Sequence, residues 1–322
     1  MSISAEDATA QGKLLLDNGD FDGAIAAYTK AIRLNPQNAQ HYSSRGQAYE
    51  RKGEWDNAIA DCTEAIRLDP HGAEGHFVRG VVYGLRGDFD RGIADCTEAI
   101  RRDPKLFKAV WWRARLYDAK GEFYKAIADF TESIRLDPRY AEVYWGRGHA
   151  YKETGEFDKA IADFTESIRL KPRYAQVYFG RGYAYGKRGE FDKAIADYTE
   201  AILLNPEYVT AYYNRASAYG KQGEYDKAIA DYTEAVRIDP KDAGAHYNRG
   251  CTHIEKGDYD AAITDFTSAI QINSQAGCFF YARGYAYSEK GDYYNAEADL
   301  RQSEKLGYKG PGESQSRRDR MS

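Results

Sequence analysis

The sequence predicts an all-α solenoid, a stack of helix–turn–helix units that lean on one another, and three observations carry that prediction. Prolines recur at Pro36, Pro70, Pro104, Pro138, Pro172, Pro206 and Pro240, each 34 residues after the last, with only Pro311 off the series. Within each period, apolar residues fall at helical spacing on both sides of a glycine. In 141–174 they are Tyr144, Gly148 and Tyr151 before Gly155, then Ala160, Ile161, Phe164 and Ile168 after it. A unit this short cannot bury its apolar face alone, so successive copies must stack.

The two helices of a unit have identifiable starts and stops. Gly155 can take a positive φ and end the first helix, and Asp158 puts an acid at the N-terminus of the second. Pro172 blocks further helix and holds Lys171 extended. So short a connection makes the helices antiparallel neighbours. Gly148 and Ala160 are small enough to let them approach, and Tyr151 and Phe164 fill the space alongside.

Aligned on the prolines, nine units begin at Ala5, Ala39, Ala73, Phe107, Ala141, Ala175, Val209, Ala243 and Gly277. Their order of small, bulky and aromatic residues resembles the tetratricopeptide repeat (TPR), on Tyr144, Gly148, Tyr151, Ala160, Phe164 and Pro172 of the fifth unit. The resemblance implies a right-handed superhelix of repeats 5–38, 39–72, 73–106, 107–140, 141–174, 175–208, 209–242, 243–276 and 277–308, one elongated domain after a short lead at 1–4. The Gly/Ser/charge-rich stretch 309–322, with Arg317, Arg318 and Arg320, reads as a disordered tail.

One slot departs from the family. Where TPR units often have Leu, seventh in the unit, this chain has Arg45, Arg79, Arg113, Arg147, Arg181, Arg215, Arg249 and Arg283. The same eight units carry an aspartate twenty-third, from Asp61 through Asp163 to Asp299, and the first unit, with Gln11 and Ala27, lacks both. Co-occurrence predicts an ion pair at the helix interface, in which a planar guanidinium suits bidentate contact. The end units are edited in other ways. Ser4 followed by Asp7 reads as a capped helix start, and Glu297 and Glu304 replace the Ile or Val that earlier units would bury against a following repeat. Gly92, where other units have Ala, marks the third as a softer unit.

Composition narrows the function. A net charge of -5 argues against an electrostatic nucleic-acid binder. No apolar run is long enough to span a bilayer, the start lacks the features of a secretory signal, and a cytoplasmic location is the default. Cys62, Cys96, Cys251 and Cys278 show no CxxC spacing and read as reduced core thiols. Six scattered histidines and the absence of phosphate-loop, zinc-protease or nucleophile-elbow motifs give no basis for catalysis, a metal or a cofactor.

What remains is a binding face. In the TPR family the first helices line the concave surface, through residues second, fifth, sixth, ninth, twelfth and thirteenth in the unit. The fifth slot holds Phe77, Trp111, Trp145, Phe179, Tyr213, Tyr247 and Tyr281, aromatics that either face a groove or pack on the next repeat. Trp112 joins Trp111 and Trp145 in an indole cluster suited to binding, and Asn214 and Asn248 resemble asparagines that hold a peptide backbone in some TPR proteins. Arg115, Lys152, Lys187 and Lys221 give the groove a slightly basic lean, which suits an acidic or C-terminal peptide. These features predict a non-catalytic scaffold, monomeric, holding a peptide or helix of another protein. The rivals are a self-assembling structural protein and a nucleic-acid-associated regulatory subunit.

Overall fold

A computed structural model describes residues 4–310, and among them the chain forms eighteen α-helices and no strand. The chain divides into two compact units, Met1–Pro172 and Arg173–Ser322. The first holds α1 (Ala5–Asp17), α2 (Phe21–Leu34), α3 (Ala39–Lys52), α4 (Trp55–Leu68), α5 (Glu74–Leu85), α6 (Phe89–Arg102), α7 (Phe107–Ala119), α8 (Phe123–Leu136), α9 (Ala141–Glu153) and α10 (Phe157–Leu170). The second holds α11 (Ala175–Lys187), α12 (Phe191–Leu204), α13 (Val209–Lys221), α14 (Tyr225–Ile238), α15 (Ala243–Lys256), α16 (Tyr259–Ile272), α17 (Gly277–Glu289) and α18 (Tyr293–Lys305). Each repeat is therefore one helix pair. Most of the predicted tail, 311–322, lies outside the described residues.

Punctuation follows the sequence. The glycine between the helices of every repeat is left-handed, as at Gly155 (φ 79°), where a Cβ would strain the turn. Ser4 accepts from the Asp7 amide while Asp7 accepts from the Ser4 amide, a reciprocal cap that closes the N-terminus of α1. The second helices begin after an acid whose length decides its partner. Asp20, Asp88, Asp258 and Asp292 reach back to a backbone N–H three residues on. Glu122, Glu156 and Glu190 are a methylene longer and pair with Lys125, Lys159 and Lys193 instead.

The core runs along each helix pair as alternating small and large residues. Ala58, Cys62, Ala126, Phe130, Ala160 and Phe164 are almost fully buried in the first unit, and Ala228, Ala262 and Phe266 in the second. Close approach depends on the glycine of the first helix, because a Cβ on Gly148 would stand 2.9 Å from the Phe164 ring. The missing Cβ of Gly92 leaves the space that Leu116 fills, where Ala48 and Ala150 stand in other repeats. The four cysteines are free, and burial pushes the Cys96 thiol up to about 12, so Cys62 and Cys96 serve as core side chains.

The arginine–aspartate pair forms within the repeat in all eight cases. In the fifth, Arg147 donates from Nε to Asp163 Oδ2 at 2.7 Å and from Nη2 to Oδ1 at 2.8 Å. Its remaining Nη1 donates to Thr131 Oγ1 of the preceding repeat at 3.1 Å. The buried aspartates are thus fully paired, and the guanidinium joins three helices.

Along one edge, surface straps also tie repeat to repeat. Lys52 meets Asp22 at 2.7 Å, Arg86 meets Asp56 at 2.6 Å and Lys120 meets Asp90 at 2.6 Å. At the next step Tyr124 replaces the acid and Thr154 the base, and Tyr124 is 74 % exposed. In the second unit Glu297 and Glu304 of α18 both face solvent, together with Tyr293 and Tyr294.

Candidate functional site

The first unit gathers part of the aromatic ladder into one cleft. Its volume is about 360 Å³, and its walls are Phe77, Val78 and Val81 of α5, Phe107, Trp111 and Trp112 of α7, and Tyr140 ahead of α9. Helical spacing explains the convergence: Phe77 and Val81 lie four apart on α5, as do Phe107 and Trp111 on α7, so each pair shares a face. Trp111 stands edge-on to Tyr140 at 5.4 Å and to Trp112 at 5.7 Å, and Tyr140 in turn meets Phe107 at 5.1 Å. The indole N–H groups of both tryptophans are buried without an acceptor. Arg115 is exposed and lies over both indoles, 5.1 Å from the Trp111 ring and 4.7 Å from Trp112.

The open side of this cleft is polar. Gln47, Glu50 and Arg51 line it from α3, and Lys108 from α7. Gln47, Glu50 and Arg51 occupy groove-facing slots that the repeat resemblance names, but in the second repeat, whose fifth slot is Ser43 and not an aromatic. Glu50 is the unusual member. Its side chain is 16 % exposed, and its nearest cation, Arg51 Nε, is 3.6 Å away and itself 62 % exposed. Burial raises the Glu50 carboxyl above the ordinary carboxylate range, and Arg51 offsets this only in part.

The other predicted site residues are distributed differently. Trp145 stacks on His149 of its own helix at 6.0 Å, and Lys152 pairs with Glu153 at 2.6 Å. In the second unit the fifth-slot rings are half-buried between helices. Phe179 contacts Tyr198 and Tyr208, Tyr213 contacts Tyr232, Tyr247 contacts Phe266 and Phe279, and Tyr281 contacts Tyr308. The Tyr213 hydroxyl donates to Asp242 at 2.5 Å, and burial together with that carboxylate pushes the phenol well above its usual range. Such rings pack mainly within their own repeat, and Tyr247 also reaches Phe279 of the next.

A smaller cleft of about 260 Å³ in the second unit brings together Lys187, Asn214 and Lys221 with Tyr183 and Ser217. Lys187 sits over the Tyr183 ring at 5.1 Å. The Asn214 amide donates to the Thr210 carbonyl of its own helix at 2.8 Å, which occupies one of its donors. Asn248 of α15 is half-buried and is not among the residues lining this cleft. Among the described residues no cluster of three metal-ligating side chains exists and no helix is long and apolar enough to cross a membrane.

Comparison with known proteins agrees with this architecture. Tetratricopeptide repeat family models match residues 9–73 and 179–243, 243–275 and 279–306, and a TPR repeat model matches 114–155 and 148–189. No curated protein matches the sequence. Among solved structures, a tetratricopeptide repeat protein from Parabacteroides merdae is 21 % identical, with 81 % of this chain and 100 % of that one covered at a TM-score of 0.53. YrrB, described as a TPR protein with an unusual peptide-binding site, is 18 % identical, with 57 % and 95 % covered at 0.52. MamA is 29 % identical, with 51 % and 96 % covered at 0.49. The matches along the chain, the helix pairs of constant period and the shared fold make this chain a member of the tetratricopeptide repeat family.

Proposed function

We propose that this TPR protein is a non-catalytic, cytoplasmic scaffold and that the cleft of the first unit is where it takes an extended peptide of its partner. The observation that carries this reading is the convergence of Phe77, Trp111, Trp112 and Tyr140 on one open cleft. Trp111, Trp112 and Tyr140 are half-buried over a buried Phe77, and large aromatics around a concavity provide both area and shape for an anchoring side chain. That YrrB, of the same fold, is described as having a peptide-binding site supports the choice of ligand class. Of the ladder, Phe77, Trp111 and Trp112 are assigned to binding, whereas Phe179, Tyr213, Tyr247 and Tyr281 are assigned to packing. Lys187, Asn214 and Lys221 form a secondary polar contact.

The test is selection of displayed random dodecapeptides on the full chain, with affinities then measured for wild type and Trp112→Ala after circular dichroism has matched their helix content. Enriched peptides that bind the folded variant at least tenfold more weakly support the cleft. Peptides bound equally by both place the site elsewhere. Self-association has one observation in its favour, the exposed Tyr293 and Tyr294 of the last repeat, at 67 % and 85 %. A mass that grows with concentration in light scattering and falls on Tyr293→Ser/Tyr294→Ser would establish it.

A further inference from the structure

We infer that the peptide held in the first unit's cleft presents a lysine or arginine side chain to Glu50, its aliphatic stem lying along the apolar wall. This rests on the reading of the cleft as a peptide site and adds which residue that site selects.

The cleft holds an unbalanced charge. A carboxylate removed from water needs hydrogen-bond donors or a close cation, or it is costly to keep ionised. Every buried aspartate at the helix interfaces meets that need with a bidentate arginine. Glu50 does not: Arg51 stays 3.6 Å off and turns outward. Yet the Glu50 carboxyl lines an open cleft, so a cation can reach it from outside.

The surroundings match one kind of visitor. Val81 and Trp112, both half-buried, line the same cleft as the carboxylate over the buried Phe77 and Val78, and this suits the methylene stem of a long basic side chain whose head needs a charged partner. The neighbouring indoles attract cations, as Arg115 over Trp111 and Trp112 demonstrates. An acidic side chain would find Arg51 and Lys108 at the mouth, but it would have to sit beside Glu50, adding like-charge repulsion to a carboxylate already short of donors. The groove's basic lean therefore belongs to its rim, whereas the interior polar group is an acid. Inside the cleft, the charge complement of a basic residue outweighs the acidic peptide suggested by composition.

The same peptide selection provides the test, read for composition and repeated with Glu50→Gln and Glu50→Asp. Glutamine keeps the shape and removes the charge, and aspartate keeps the charge on a shorter stem. The expected result is at least threefold enrichment of Lys and Arg at one position of the wild-type peptides, lost with Glu50→Gln and retained in part with Glu50→Asp. In the best wild-type peptide, replacing that basic residue by norleucine should weaken binding at least tenfold, and Glu50→Gln should remove most of the difference. Peptides that bind without a basic preference, with an acidic one, or with the same preference on Glu50→Gln overturn the assignment to Glu50 and leave the cleft standing. If no peptide is selected at all, the peptide reading of the cleft falls, and the inference with it.

Discussion

The fifth repeat (141–174) and the eighth (243–276) house the same buried pair in different linings. Arg147 holds Asp163 at 2.7 and 2.8 Å, and Arg249 holds Asp265 at 2.9 and 2.6 Å. In the fifth repeat the slots on either side are Tyr144 and Tyr151, and the guanidinium lies 5.9 Å from the Tyr151 ring. In the eighth the same slots carry His246 and His253. His246 Nδ1 stands 3.6 Å from Asp265 and His253 Nε2 3.9 Å from it, with His253 Nδ1 3.8 Å from Asp258. Burial lowers the His253 pKa, with Arg249 and Lys256 adding to the effect, while Asp265 and Asp258 oppose it. One aspartate already neutralised by an arginine thus has two imidazole rings beside it. The outer face differs too: Glu166 pairs with Arg169 at 2.6 and 2.8 Å, whereas the eighth repeat has Ser268 and Gln271 in those slots. A constant period fixes where the pair sits, and the flanking slots determine how it responds to its surroundings.

Both repeats should suffer most from loss of the buried pair. Asp163→Ala and Asp265→Ala each strand a buried guanidinium and should cost about 3–5 kcal/mol in urea unfolding of the full chain. Adding Arg147→Leu to Asp163→Ala should restore much of the loss, and a double variant no more stable than the single one would refute the pairing account. A smaller, equal effect is expected where the two repeats agree. Gly148→Ala and Gly250→Ala place a Cβ 2.9 and 2.7 Å from Phe164 and Phe266, and this overpacking should lower stability by about 1–3 kcal/mol.

Acid should separate the two repeats. A ring whose folded pKa lies below its ordinary 6.5 is kept neutral by the fold, so its contribution is complete above pH 6.5 and is lost as pH falls below it. Each unit of depression is worth about 1.4 kcal/mol once the ring is charged in both states. Hydrogen exchange across 243–272 should therefore accelerate between pH 7.5 and 5.5, after correction for intrinsic rates, more than across 141–170. His246→Tyr/His253→Tyr should abolish the excess, and an unchanged excess in that variant would assign the acid response to other groups. The smallest effect is on the outer face. Ser268→Glu/Gln271→Arg should copy the fifth repeat's surface pair and raise the urea midpoint by no more than about 0.5 kcal/mol of stability.

Much of this fold is legible in the sequence, because a period of 34 residues repeats the same physical instructions many times. The interface pair is legible for a related reason: its two members appear and vanish together. The third contact was equally available and is easily overlooked. Thr29, Thr63, Thr97, Thr131, Thr165, Thr199, Thr233 and Thr267 hold one slot through eight repeats, and Arg301 replaces them in the ninth. The candidate site is less legible. Whether a fifth-slot ring faces a groove or a joint depends on side-chain direction and on the residue that closes its own repeat, as Tyr208 offers Phe179 a partner and Asp242 offers one to Tyr213. Glu50 stays hidden because nothing in its neighbourhood in sequence shows that it will be shielded from water; α5 and α7 bring that shield from repeats away.

The edge straps of the first unit behave as stitches in a seam. Each is an exposed ion pair worth at most about 1 kcal/mol, too little to decide folding. They come one to a joint, so a joint without one relies on its other contacts. Stitches run from Asp22 to Lys52, from Asp56 to Arg86 and from Asp90 to Lys120, and one is missing where Tyr124 meets the place of Thr154. The line between the fourth and fifth repeats is instead sewn from inside, by Arg147 donating to Thr131 and by His149 Nδ1, 3.1 Å from Asp118 Oδ1.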